Sequence, residues 1–126
     1  MSKKILISIN TSWNIINFRL GLLKALQEKG FKIAVLAPKD KYSELFEKEG
    51  FEYYDITMNN KGTNPIEDFK LIINYYKKLK EIKPDLMLSY TIKPNVYGTI
   101  AANLLNIPTI TNIAGLGTLF VEENFI

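Results

Sequence analysis

The chain contains neither cysteine nor histidine. Without cysteine there is no disulfide framework and no thiolate metal site. Without histidine the His-based triads, the commonest general base and most transition-metal sites are excluded as well. Catalysis would fall to carboxylates, Lys, Arg, Tyr, backbone dipoles or a phosphate carried by the substrate. Glycine is missing where nucleotide-binding chains most use it. The segment after the first hydrophobic strand has none before Gly21, so G-x-G-x-x-G fails, and no Walker G-x-x-x-x-G-K-[ST] occurs. No run approaches the roughly 18 apolar residues of a membrane span, and the start leads into a strand without a signal-peptide apolar region. A cytoplasmic chain is expected. No aromatic-plus-basic signature for RNA is present, and no nucleic-acid partner is expected.

What is present suffices for one modest core: 126 residues, 47% apolar and 23% charged, with a net charge of +3. The excess of cations favours a phosphate-bearing or anionic-surface partner. Hydrophobic patterning alternates strand and helix. Strands are expected over about 4–9, 31–37, 51–57, 85–90 and 108–112, the third more exposed at an edge. Helices are expected over about 17–29, 41–49, 65–82 and 95–105. In the first helix Phe18, Leu22, Leu23 and Leu26 share the apolar face. This alternation implies an α/β fold, a doubly wound Rossmann-like parallel sheet of order 3-2-1-4-5 with right-handed crossovers.

In such a sheet ligands bind beyond the carboxyl ends of the strands, at the reversal between strands one and four. The flanking connections are Asn10–Ile16 and Thr91–Asn95, both polar. The first places Asn10, Thr11, Ser12 and Asn14 where backbone N–H groups and short side chains meet anions and sugar hydroxyls; equally, Trp13 and Phe18 can simply plug the core. Arg19 is expected in the first turn of its helix, a poor place for a cation. A carboxylate of this chain or a substrate phosphate should therefore pair with it. Asn95 can cap its helix, bind a sugar hydroxyl, or both. Lys61 and Asn64 in the third loop, Thr91, and Gly115 and Gly117 after strand five open onto the same rim; the glycine pair is either a flexible turn or a close backbone approach.

Lys4–Leu26 resembles the opening of family 4 glycosyltransferases of the capsule, O-antigen and lipid-linked oligosaccharide type. So do Ala37–Tyr42, Lys61–Pro65, Tyr90–Gly98 and Asn112–Thr118. The resemblance covers essentially the whole chain, with several motifs in order. It implies one half of a metal-independent GT-B enzyme that needs no cofactor, with nucleotide-sugar donor and glycan or lipid-linked acceptor meeting between two Rossmann-like domains. Residues 1–126 would be the amino-terminal, acceptor-side domain, and the nucleotide-gripping carboxyl-terminal domain would lie outside this chain. Where many members have glycines after strand one, Thr11-Ser-Trp-Asn14 stands here, so Thr11 and Ser12 would supply hydroxyl donors. Where many have a histidine near the fourth loop, Ile92-Lys93 stands, and Lys93 becomes either the electrostatic partner of a leaving phosphate or a solvated loop lysine.

The third helix bears on membranes. Ile66, Phe69, Ile73, Tyr76 and Leu79 form an apolar face that packing on the sheet explains. Lys70, Lys77, Lys78, Lys80 and Lys83 lie elsewhere on it, or just past its end, and would attract anionic headgroups, giving weak, peripheral contact with the inner face of the cell membrane. Three classes of function remain: the acceptor half of a sugar transferase in surface-polysaccharide synthesis, a non-catalytic subunit completing a cleft with a nucleotide-binding chain, and a flavodoxin-like or regulatory module. The absent phosphate loop and absent acidic pair after strand one weigh against the last.

Overall fold

The computed structural model describes residues 3–58 and 64–112. Five strands, β1 (Lys4–Ser8), β2 (Lys32–Ala37), β3 (Glu52–Asp55), β4 (Leu86–Tyr90) and β5 (Thr109–Asn112), form one sheet of order β3-β2-β1-β4-β5. Every pairing is parallel, with Ile7 opposite both Val35 and Leu88. Helices α1 (Ser12–Asn14), α2 (Leu20–Glu28), α3 (Glu44–Lys48), α4 (Pro65–Ile82) and α5 (Thr99–Leu104) fill the crossovers, with π-helical stretches π1 (Ile15–Arg19) and π2 (Pro94–Gly98). The topology and the edge position of β3 agree with the sequence pattern.

The core has two faces because the central strands alternate. Ile5, Ile7, Ile33, Val35 and Leu88 pack under Ile15, Leu23 and Phe46, while Leu6, Ala34, Leu36 and Met87 pack under Leu71, Tyr75, Leu79, Ile82, Ala101 and Ala102. Burial on both faces is why β1 and β2 read as nearly continuous apolar runs.

Three expectations need correction. The first helix does not wait until residue 17. It begins at Ser12, because the Thr11 hydroxyl accepts the Asn14 backbone N–H at 3.1 Å and caps it. Polar residues that look like loop are therefore helix. Of the four residues expected on its apolar face only Leu23 is fully buried, beside Ile15 one stretch earlier; Leu26 packs partly, whereas Phe18 and Leu22 face solvent. The third correction concerns α4, which carries two apolar stripes. The one packed on the sheet is Leu71, Tyr75, Leu79 and Ile82, leaving Ile66 69%, Phe69 64% and Ile73 38% exposed.

Candidate functional site

The two strands at the sheet reversal, β1 and β4, each lead almost at once into a helix that widens to π geometry, π1 and π2. Such widened turns re-aim side chains and recur at functional sites. Both helices start at the carboxyl rim of the sheet, and so does α4, which runs antiparallel to the strands it connects.

Arg19 closes π1 rather than opening a helix, so the macrodipole argument for a nearby anion does not hold. Its partner is an aromatic face: the guanidinium carbon lies 4.4 Å from the ring centroid of Tyr90, the last residue of β4. Its Nε is buried without a hydrogen-bond partner, and so is Oδ1 of Asn14. One orphan donor and one orphan acceptor thus stand five residues apart across π1, the repeat of a π-turn. Buried groups of this kind cost free energy unless something satisfies them.

Asn10 lies in the bend after β1, and the Thr11 oxygen is the cap already described. Ser12 is not presented to the cleft: it is fully buried and donates to the Pro38 carbonyl at 2.8 Å. Its oxygen lies 3.1 Å from the Ser43 hydroxyl, which must be the donor because the Ser12 proton is spent. Trp13 and Phe18 do not plug the core; they stand exposed, edge to face, with centroids 5.5 Å apart.

On the β4 side, Thr91 adopts a left-handed conformation (φ 68), strained for a β-branched residue, and its hydroxyl donates to the Tyr90 carbonyl. Asn95 is not a cap. Its N–H bonds the Thr91 carbonyl inside the helix; Oδ1 accepts from the Ser89 hydroxyl at 2.8 Å, and Nδ2 donates to the Asn112 carbonyl at 2.8 Å. The residue ties the ends of β4 and β5 together. Lys93 is not a solvated lysine: Nζ lies 3.4 Å from Asp68 Oδ1, with side chains only 15% and 14% exposed. The other Asp68 oxygen accepts from the Tyr97 hydroxyl at 2.8 Å. That hydrogen bond to a carboxylate is the main reason the Tyr97 pKa is raised. Asn64 caps α4, accepting from the N–H groups of Ile66 (3.0 Å) and Glu67 (3.3 Å). Lys61, Gly115 and Gly117 lie outside the described residues.

Topology therefore converges Asn14, Arg19 and Thr91 on the switch point, sets Lys93 beside it, and withdraws Ser12 and Asn95. Tyr90, Asp68 and Tyr97 escaped the sequence reading. Tyr90 was reachable, since it ends a strand beside the reversal; Asp68 was not, since only the folded chain shows what it meets.

The chain is 26% identical over 113 residues to the N,N'-diacetylbacillosaminyl-diphospho-undecaprenol alpha-1,3-N-acetylgalactosaminyltransferase of Campylobacter jejuni, a match covering 89% of the chain and 30% of that enzyme. Among solved structures, MurG of Acinetobacter baumannii superposes with a TM-score of 0.70 at 21% identity, covering 88% of this chain and 34% of that one. A UDP-GlcNAc 2-epimerase of Neisseria meningitidis, bound to UDP-GlcNAc, gives a TM-score of 0.65 at 19% identity, covering 97% and 35%. The chain thus spans about a third of the length of these relatives. Because a transferase and an epimerase both share the architecture, fold alone does not choose between them. A family model does: it matches residues 4–125, and the chain belongs to the glycosyl transferase 4-like family.

Proposed function

We propose that this chain is the acceptor-side half of a metal-independent, cofactor-free sugar transferase. It would move a hexose or N-acetylhexosamine from a nucleotide-sugar donor to a lipid-linked glycan in bacterial surface-polysaccharide synthesis. The observation that carries this reading is Arg19, held on the Tyr90 face at the switch point with its Nε orphaned. A fixed guanidinium there suits an oxygen that gains negative charge. In the reaction the bond from the sugar C1 to the nucleotide diphosphate breaks, a bond from the acceptor oxygen to C1 forms, and the acceptor proton leaves with a phosphate oxygen or a nearby base. Arg19 and Lys93 stabilise the leaving diphosphate, while Asn10, Thr11, Asn14 and Thr91 offer hydrogen bonds to sugar hydroxyls. Lys61, Asn64, Gly115 and Gly117 complete the rim of this proposal.

The lipid part of the acceptor is supported by α4. Its outward Ile66, Phe69 and Ile73 begin at the rim where the acceptor would lie, with Lys70, Lys77 and Lys80 also exposed on this helix. Among the described residues no helix is long and apolar enough to cross a membrane. Contact would be peripheral, on the cytoplasmic face.

The nucleotide would be gripped by a second Rossmann-like domain, in the same polypeptide or, in the alternative reading, in a partner subunit. The test is transfer of a nucleotide-linked N-acetylhexosamine to an undecaprenyl-diphosphate-linked sugar, read by mass spectrometry. Residues 1–126 alone should give negligible product, and product should appear once the second domain is supplied. Robust turnover by residues 1–126 alone overturns the two-domain reading; none in either case overturns the transferase.

A further inference from the structure

Beside the switch point, between the end of β3, the first turns of α4 and Lys93, lies a pocket of about 250 Å³. A second cavity of about 190 Å³ adjoins it along α4, and the two share Thr57 and Asn74. Each is smaller than the roughly 300–1,000 Å³ of sites for drug-sized ligands, which leaves room for one ring apiece. None of the groups assigned to transfer explains this groove except Lys93, which stands at its inner end.

The lining selects a chemistry. Met58 and Leu71 give the first compartment an apolar wall. Its charges cancel, with Glu67 and Asp68 against Lys70 and Lys93, and the second compartment sets Asp55 against Lys77 and Lys78, so the whole groove carries one net positive charge. A site built for a multiply charged anion would carry a stronger positive field, and a site for an alkyl chain would not spend seven charges. Opposed carboxylates and ammonium groups with an amide and a hydroxyl instead match a neutral ring bearing several hydroxyls, whose donors and acceptors need partners of both kinds. The apolar wall meets the C–H face of such a ring.

Resting on the transferase reading, we infer that this groove is a saccharide subsite that takes two consecutive pyranose rings of the acceptor. Asn74 on the shared wall contacts both, and Lys93 marks the end nearest the transfer point. Asp68 is a positioning residue here: fixed by the Tyr97 hydroxyl at 2.8 Å, it holds Lys93 at the junction of groove and switch point.

Asn74 is exposed on α4, so its replacement by Ala spares the fold. The test is a titration of the ¹⁵N-labelled 126-residue chain with an N-acetylhexosamine, its β-linked disaccharide and, separately, inorganic phosphate. The disaccharide should shift the amides of Thr57, Leu71 and Asn74 and bind about tenfold more tightly than the monosaccharide. Asn74→Ala should weaken the disaccharide about tenfold, with an unchanged spectrum elsewhere. Sugar-induced shifts confined to Asn14 and Tyr90 would overturn the groove while leaving the transferase intact. Phosphate producing the same shifts more tightly than sugar, or an Asn74→Ala chain that binds sugar normally, would overturn it too. A chain that binds the disaccharide here, in an enzyme that transfers nothing, would sink the transferase reading and keep the saccharide site.

Discussion

The Arg19 guanidinium carbon sits 4.4 Å from the centre of the Tyr90 ring, joining the helix after β1 to the end of β4 across the sheet reversal. An aromatic face anchors a guanidinium without consuming its donors. Most of the fork is therefore left for a ligand.

In the two-domain transferase proposed above, Arg19→Ala should lower turnover about 10²-fold, equivalent to about 2.7 kcal/mol of transition-state stabilisation, with little loss of folding stability. Tyr90→Phe keeps the ring face and should keep most activity; Tyr90→Leu should lose kcat more than KM, because the guanidinium is freed rather than removed. Lys93→Ala should cost less than Arg19→Ala, since an ammonium is more readily replaced by water. If Arg19→Ala unfolds the chain while the folded remainder stays fully active, Arg19 belongs to the fold and not to the reaction.

Two other substitutions should act on stability alone. Ser12→Ala removes the donor to the Pro38 carbonyl and the partner of Ser43, and should cost about 1–2 kcal/mol with activity per folded molecule unchanged. A Cβ at Gly98 would lie 3.2 Å from the Tyr75 ring and 3.3 Å from the end of Met87. The methionine can yield, but Tyr75 is pinned by its hydroxyl to Ser8 at 2.8 Å. Gly98→Ala should therefore lower the urea midpoint, by about 1–3 kcal/mol of stability. An unchanged midpoint would mean that the ring shifts freely.

Much of this architecture was legible because it follows from local periodicity: the strands, their order and the edge position of β3 all come from apolar runs punctuated by Gly and Pro. What was not legible depends on long-range partners. Nothing near Lys93 in sequence announces Asp68, and nothing near Ser12 announces Pro38 and Ser43. Asn95 looked like a cap because the fourth helix was expected to begin there, yet the helix is already under way at Ile92 and the Asn95 amide bridges to β5. The α4 stripe was misread for a different reason. Two apolar stripes compete on one helix, and only the distance to the sheet decides which is buried.

The pH dependence of stability should be set by tyrosine at the alkaline end. Burial pushes the Tyr75 pKa well above its ordinary 10.0, opposed only in part by the Ser8 hydroxyl. Tyr54 is pushed up to about 12, chiefly by its hydrogen bond to Glu52. A folded pKa above the unfolded one means that the folded state holds its proton longer. The stabilisation is fully present below about pH 10 and is lost as the pH rises toward the folded pKa, by up to about 1.4 kcal/mol per pH unit for a buried tyrosine. Chemical denaturation between pH 8 and 12 should show this fall, and Tyr75→Phe should make it shallower. An identical slope in the Phe variant would show that Tyr75 does not ionise on unfolding in that range.

The exposed stripe of α4 gives the last prediction. Ile66 and Phe69 remain largely in water and Ile73 partly so, although the same helix buries Leu71, Tyr75 and Leu79. Burying a side chain such as Phe69 in the headgroup boundary would return up to about 1.5–3 kcal/mol, and each nearby lysine about 1 kcal/mol on an anionic surface. Binding to vesicles containing anionic lipid should therefore be weak, and it should fall with salt because the screening length shortens to about 8 Å at physiological ionic strength. Phe69→Ser should weaken binding at every salt concentration, whereas Lys70→Ala should weaken it about fivefold at low salt and little at high salt. The two variants separate the apolar from the electrostatic contribution. Sedimentation with vesicles reads both, and salt-independent binding, or none at low salt, removes α4 from the membrane account and leaves its apolar stripe to a protein partner.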